Sequence, residues 1–335
     1  MTQQRFITGA VLAVACAARL AAQQTAQPSF KSGAPTVAIY ATVTDAQGRL
    51  VADLGRDAFA VDDNGKPQPL TLFANDIQPI TVVMLLDRSG SMKPNLPLEQ
   101  MGAEAFVGAM GPGDKARIGS FASRIQVDPP EFTSDRAQLM RILQNDLQKD
   151  GPTPLWNAVN TGIDDLLLEQ GRRVVLVFTD GVDEPMNFAN NNKSLKDVMK
   201  RAEEQDVMVY AIGLAGDTGS RAGATPLGRG SVGPGAFGGF GGRGMAVRPQ
   251  LQQPDEGLPK IAAATGGGYF ELTSTNDLVR TFARVANELH HQYALGFAPT
   301  KLDGKMHDLT LRMSRPELHA RTRKRYLATP ARGTP

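Results

Sequence analysis

A chain of 335 residues, 41% hydrophobic and 21% charged, has room for one large or two modest cores. Its net charge of +2 argues against bulk attraction to nucleic acid. The single cysteine, Cys16, stands in a leader-like N-terminus. A chain cut beyond it has no disulfide, thiol nucleophile or thiolate metal site.

Arg5, the apolar run Phe6 to Ala18 and the small residues through Ala22 predict a secretory signal peptide over residues 1–22. The run is too short for a transmembrane span, and no later segment could cross a bilayer. The expected location is therefore periplasmic or extracellular. Ala13-Val14-Ala15-Cys16 is a loose lipoprotein box, but Ala13 replaces the usual Leu and the apolar stretch runs on. Removal of Cys16 with the leader is favoured over lipid anchoring. Residues 23–35, with Pro28, Gly33 and Pro35, make a linker.

Residues 36–78 form a small β segment. Val37, Ile39, Ala41 and Val43 alternate within Thr36–Thr44, a half-buried strand. Phe59–Val61 and Leu70–Phe73 flank Asp63-Asn64-Gly65 as the arms of a hairpin. The acidic pair Asp62-Asp63 lacks the alternate-position ligands of a calcium loop and is assigned to turn chemistry.

From residue 79 to 291 strands and helices alternate, predicting a doubly wound, mostly parallel α/β sheet flanked by helices. Thr81–Leu86 is an unbroken run suited to a strand covered on both faces. Leu98, Met101, Ala105, Phe106 and Ala109 keep helical spacing, as do Leu139, Ile142, Leu143 and Leu147. Short strands are expected at Ala116–Phe121 and Ile125–Val127. A helix follows over Leu155–Leu167, then a buried strand at Val174–Phe178, a helix through Val198 and Ala202, and a strand at Val207–Ile212. Residues 213–250, rich in glycine and without apolar periodicity, are expected to be a disordered insert. Order resumes with a Pro259–Ala264 helix, a Tyr269–Leu272 strand and a last helix carrying Leu278, Phe282, Val285 and Leu289. His290 and His291 point about 100° apart on a helix and do not make a metal pair.

Residues 292–327 return to β patterning and 328–335 form a tail. Two incomplete β sets flanking an α/β set predict a small β-sandwich-like domain built from both flanks. Arg312–Arg332 holds seven basic residues and one acidic. A charge-guarded strand edge is favoured over contact with an anionic envelope surface.

Three turns carry chemistry. Asp87, Ser89 and Ser91 follow the first buried strand, Thr153 lies in Gly151-Pro152-Thr153-Pro154, and Asp180 ends the strand Val174–Thr179. All five offer oxygen, the donor preferred by hard divalent cations. Each turn also has a plain reading: a serine helix cap, a Thr-Pro helix start and an Asp-Gly turn. Their order and setting outweigh those readings. Asp-Arg-Ser-Gly-Ser, Pro-Thr-Pro and Phe-Thr-Asp-Gly resemble the three metal loops of a von Willebrand factor A-type domain. The chain also resembles secreted Acidobacterial proteins related to that family. The matching segments are Asp45–Leu54, Tyr293–Phe297 and Arg321–Tyr326.

The resemblance implies a doubly wound fold with a metal-ion-dependent adhesion site. Its ligands would be Asp87, Ser89, Ser91, Thr153 and Asp180, holding a divalent cation, Mg2+ first and Mn2+ or Ca2+ next. A protein partner's Asp or Glu carboxylate would take the open position, and the last helix would slide as the site rearranges. Because that helix, Thr275–His291, feeds directly into the C-terminal β segment, ligand binding is expected to reorient the two domains. Binding is thus expected rather than catalysis. The rival readings are a structural envelope module with a fold-stabilising metal and, behind it, a metal-assisted hydrolase using Asp183 or Glu184.

Overall fold

An unbroken β-branched and aliphatic run can be satisfied only where both faces of a strand are covered, and that condition organises the fold. The computed structural model describes residues 36–148, 150–184, 192–215 and 253–329. The chain begins with β1 (Val37–Thr44), β2 (Phe59–Asp63), β3 (Lys66–Gln68) and β4 (Leu70–Ala74). Then come β5 (Ile80–Asp87), α1 (Leu96–Ala109), β6 (Lys115–Phe121), β7 (Ile125–Thr133) and α2 (Arg136–Asn145). Next are α3 (Leu155–Leu166), β8 (Arg172–Thr179), α4 (Leu195–Gln205) and β9 (Met208–Leu214). The series closes with α5 (Gly257–Thr265), β10 (Tyr269–Leu272), α6 (Leu278–His290), β11 (Tyr293–Phe297), β12 (Met306–Met313), β13 (His319–Arg321) and β14 (Arg325–Leu327).

The large sheet has the order β10-β9-β8-β5-β6-β7. Its pairs are parallel except β6 with β7. Alternate residues of β5 serve opposite cores: Val82, Met84 and Leu86 meet α1, α2 and α6, while Val83 and Leu85 meet α3. Helices thus cover both faces, as the doubly wound prediction required.

Within α1 the expected face is rotated. Met101 is 53% exposed, and Glu99, Gly102, Ala103 and Phe106 form the buried stripe instead. The cause is α6: a Cβ on Gly102 would lie 2.6 Å from Phe282 Cδ2, so the two helices approach closely only through that glycine.

The flanks build two antiparallel sheets, β13-β1-β11-β4 and β14-β12-β2-β3, each mixing N- and C-terminal strands. They enclose a common core of Ile39, Val43, Phe59, Tyr293, Leu295 and Tyr326 among others. Asn64 and Gly65, at φ 48° and 74°, form the expected turn, but its second arm is β3. Leu70–Phe73 crosses over to pair with β11. Asp62 pairs with Arg312 at 2.7 Å, and Asp63 Oδ1 lies 2.8 Å from His307 Nδ1, so neither is a calcium ligand here.

Strand β1 is covered on its second face too. Gln292, buried just after α6, donates to Thr42 Oγ1 at 3.0 Å and to Tyr210 Oη at 3.1 Å. It accepts from Arg172 Nη1 at 3.1 Å, and the Arg172 guanidinium stacks 5.1 Å from the Tyr40 ring. Arg321 pairs with Glu288, Arg323 with Asp206 at 2.7 Å, and Arg325 with Glu203 at 2.5 Å. The basic C-terminal segment therefore spends these three arginines clamping the β unit to the amino ends of the parallel strands.

Strand β9 continues to Leu214, and Ala215 N donates to Leu272 O at 2.8 Å, so strand pairing overruns the expected insert boundary at 213. Residues 216–252, the leader with Cys16, and the tail beyond 329 lie outside the described residues. Among the described residues no helix is long and apolar enough to cross a membrane. Because the buried Gln292 joins three elements, Gln292→Ala is expected to cost about 2–3 kcal/mol, read from urea unfolding.

Candidate metal centre

Register brings the first and third turns together. β5 and β8 pair in parallel through Leu86 opposite Phe178, so Asp87 and Thr179 end side by side at the carboxyl edge of the sheet. Such edges, beside the strand where the winding reverses, are where α/β sheets hold ligands. The strand order shows that reversal at β5, which lies between β6 and β8.

Asp87, wholly buried, accepts from Ser89 N at 2.8 Å through Oδ1 and from the Thr179 hydroxyl at 2.5 Å through Oδ2. Ser89 Oγ and Ser91 Oγ lie 3.1 Å apart, and Ser91 Oγ donates to Asp180 Oδ1 at 2.8 Å. Four of the five expected residues thus form one hydrogen-bonded chain. Thr153 reaches the same edge: a Cβ on Gly181 would sit 3.4 Å from its Oγ1. Its carbonyl accepts from Leu155 N and Glu184 N at 2.7 and 2.8 Å. The Thr153 side chain does not cap α3. Gly90 N donates to Gly151 O at 3.1 Å, tying the first turn to the second. Gly151 must be glycine, since a Cβ there would meet Ser123 N at 2.3 Å.

Burial pushes the Asp87 carboxyl up to about 6, against the opposing hydrogen bonds from Thr179 and Ser89, and the Asp180 charge adds to the rise. Burial also raises Asp180, with the Ser91 bond opposing. Among the described residues neither carboxylate has an ion-pair partner. Two buried carboxylates without a counter-charge, with the Ser89 and Ser91 hydroxyls between them and Thr153 at the same edge, fit a divalent cation of oxygen preference. Their charges would balance it, and neutral hydroxyls leave it able to accept an outside anion. Two carboxylates also fall short of a conventional cluster: no group of three or more His, Cys, Asp or Glu suited to a metal occurs among the described residues.

Several supporting residues were not among the five expected ligands. Thr179 orients Asp87 and, through Oγ1, accepts from Gly181 N at 3.0 Å. Its place immediately before Asp180 on a buried strand was the available signal. Asp183, raised chiefly by burial, accepts from Trp156 N at 3.2 Å, so it holds the start of α3. Asp255 reaches the third turn from beyond residue 252: its Oδ2 accepts from Asp183 N at 3.1 Å and its N donates to Gly181 O at 3.2 Å. Arg88 turns away from the turn that carries it, and its Nη1 donates to the buried Glu99 at 2.8 Å. His290 and His291 diverge as expected, toward Asp114 Oδ2 and Asn287 O, each at 2.7 Å.

A family model described as von Willebrand factor type A domain matches residues 82–182, a span holding all three turns. No curated relative matches the sequence. Among solved structures, an aerotolerance-related membrane protein from Bacteroides fragilis is 20% identical with a TM-score of 0.43, covering 62% of this chain and 99% of its own. A von Willebrand factor type A protein from Catenulispora acidiphila is 13% identical with a TM-score of 0.47, over 89% and 64%. Proximal thread matrix protein 1 from the mussel byssus, in a form with a zinc-occupied MIDAS motif, is 16% identical with a TM-score of 0.45, over 69% and 50%. Identities this low carry no function across. Over residues 82–182 the chain is therefore similar to von Willebrand factor type A domains, and the sheet order presents the three turns of that span together.

Proposed function

We propose that this is an exported binding protein that captures a partner protein's carboxylate through a divalent cation, Mg2+ in the first place. The cation is held by Asp87, Ser89, Ser91, Thr153 and Asp180. The observation that carries this reading is the run of bonds from Asp87 through Ser89 and Ser91 to Asp180, which unites two uncompensated carboxylates at one sheet edge. A hard divalent cation prefers charged oxygen donors, so a partner's carboxylate is the external donor proposed. The neighbouring carboxylate best placed to act as a base, Asp183, is engaged by the start of α3, which favours binding over hydrolysis. Export rests on the leader over residues 1–22.

Helix α6 connects the two ends of the domain. Phe282 packs edge-on against Phe178 of β8, with ring centroids 5.8 Å apart, and Glu288 anchors the far end through Tyr210. Occupation of the metal edge would reach the β unit along this helix. X-ray scattering profiles with Mg2+ and an acidic peptide should then differ from those of the cation-free protein, and identical profiles would remove this coupling.

Asp180→Ala is expected to abolish Mg2+ binding by calorimetry, and with it Mg2+-dependent capture of an envelope protein, while circular dichroism stays unchanged. Broad unfolding would favour the structural role for the metal instead.

The raised Asp87 carboxyl gives a pH signature. An aspartate held up to about 6 when folded, against 3.8 otherwise, favours folding fully below pH 3.8. That contribution disappears as pH rises to about 6. In the cation-free protein Asp87→Asn should flatten this decline and raise stability at pH 7.5 by about 1 kcal/mol. Mg2+ affinity of the unaltered protein should climb to pH ~6 and level off above it.

A further inference from the structure

Asp-Arg-Ser-Gly-Ser places a cation-bearing side chain between two residues assigned to a cation site, which is electrostatically adverse unless that charge is cancelled. Arg88 is nevertheless buried, and its side chain serves two other elements. Nε donates to Gln148 O at 2.8 Å, and Nη1 donates to Glu99 Oε2 at 2.8 Å. Its backbone N donates to Phe121 O at 3.0 Å. Gln148 is itself held: its Nε2 donates to Ser120 O at 2.9 Å and to Arg124 O at 2.8 Å. Arg88 therefore bridges the first turn, the segment leading to Gly151 and Thr153, and α1.

Glu99 is the more unusual member. It sits in the stripe of α1 that packs into the apolar core, with no exposed surface, and its Oε1 has no hydrogen-bond partner. A buried carboxylate on a core-facing position, half unsatisfied, is costly. Packing alone would be served better by a leucine. Burial raises the Glu99 carboxyl well above its usual range, the Arg88 guanidinium 2.8 Å away opposes that rise, and the Asp87 and Asp180 charges add to it. Arg88 is thus paired with Glu99 and next in sequence to Asp87, and the charges of Asp87 and Asp180 both act on Glu99.

We propose that Glu99 is a positioning residue of the cation site, acting through Arg88. It neutralises the guanidinium that braces the first and second turns, so the brace does not repel the divalent ion above it. The inference rests on the metal reading of the site. Arg88 supplies geometry, Glu99 removes the electrostatic penalty, and the net charge that the ion meets remains that of Asp87 and Asp180.

The test uses the full mature chain, with MgCl2 alone titrated by calorimetry and thermal melts recorded without cation. Glu99→Gln keeps an acceptor for Arg88 and the side-chain volume but leaves the guanidinium charge bare. It should raise the Mg2+ dissociation constant about tenfold or more, with a much smaller change in the cation-free melt. The pair Arg88→Gln with Glu99→Gln removes both charges and should return affinity to within about threefold of the unaltered protein. If Glu99→Gln alone fails to fold, that recovery in the pair still decides the matter. Wild-type affinity in Glu99→Gln, or a pair that binds no better than the single variant, would overturn the inference while the metal site stands. Absence of Mg2+ binding in the unaltered protein, with Asp180→Ala indistinguishable from it, would remove the metal reading and this inference together.

Discussion

The in-register parallel pairing of β5 with β8 is the constraint on which the remainder depends. It sets two strand ends next to each other, so Asp87 and Asp180 cannot avoid one another. Hydrogen bonds from Thr179, Ser89 and Ser91 make that proximity tolerable without removing its cost. Burial leaves both carboxyls above their usual range. A site that stores electrostatic tension of this kind is prepared for a positive ion, and preparation of this sort limits the reorganisation needed on binding.

The molecule keeps its two kinds of polarity at opposite ends. At the carboxyl edge of the sheet, Asp87 and Asp180 lack cationic partners among the described residues. At the amino edge, the charges are paired: Glu203, Asp206 and Glu288 each meet an arginine from the C-terminal strands. Glu203 and Glu288 are buried, so losing the arginine of either would leave a buried charge unpaired, and the joint resists separation although it is polar. Gln292 and Arg172 extend it by bonding neutral groups, the Leu289 carbonyl and Thr42 hydroxyl among them. The arginine-rich stretch, which in isolation resembles a patch for an anionic surface, is to this extent an internal fastening.

The flanking strands also settle how the chain encloses its central domain. Strand β1 is edged by β11 and β13, and β2 by β12, so neither flank can form its core without the other. The α/β domain is thus an insertion whose two ends must return to the same place. The Arg88 brace has an analogous role at the other edge, where it joins turns distant in sequence.

Much was legible in the sequence because burial writes a period into each element. The unbroken run before Asp87, the alternation in Val37–Thr44 and the Asn-Gly turn each state a local requirement that any satisfactory fold must meet. The five oxygen-bearing residues stood out because three strand or helix boundaries each carried one small polar turn. What the tertiary structure alone decided was which surfaces meet. Met101 turned outward because Gly102 had to admit Phe282. Leu70–Phe73 left its hairpin for β11. Glu99 entered the core because Arg88 awaited it there. Periodicity records that a face is buried, whereas the identity of its neighbour depends on contacts between residues far apart in the chain, which no local pattern encodes.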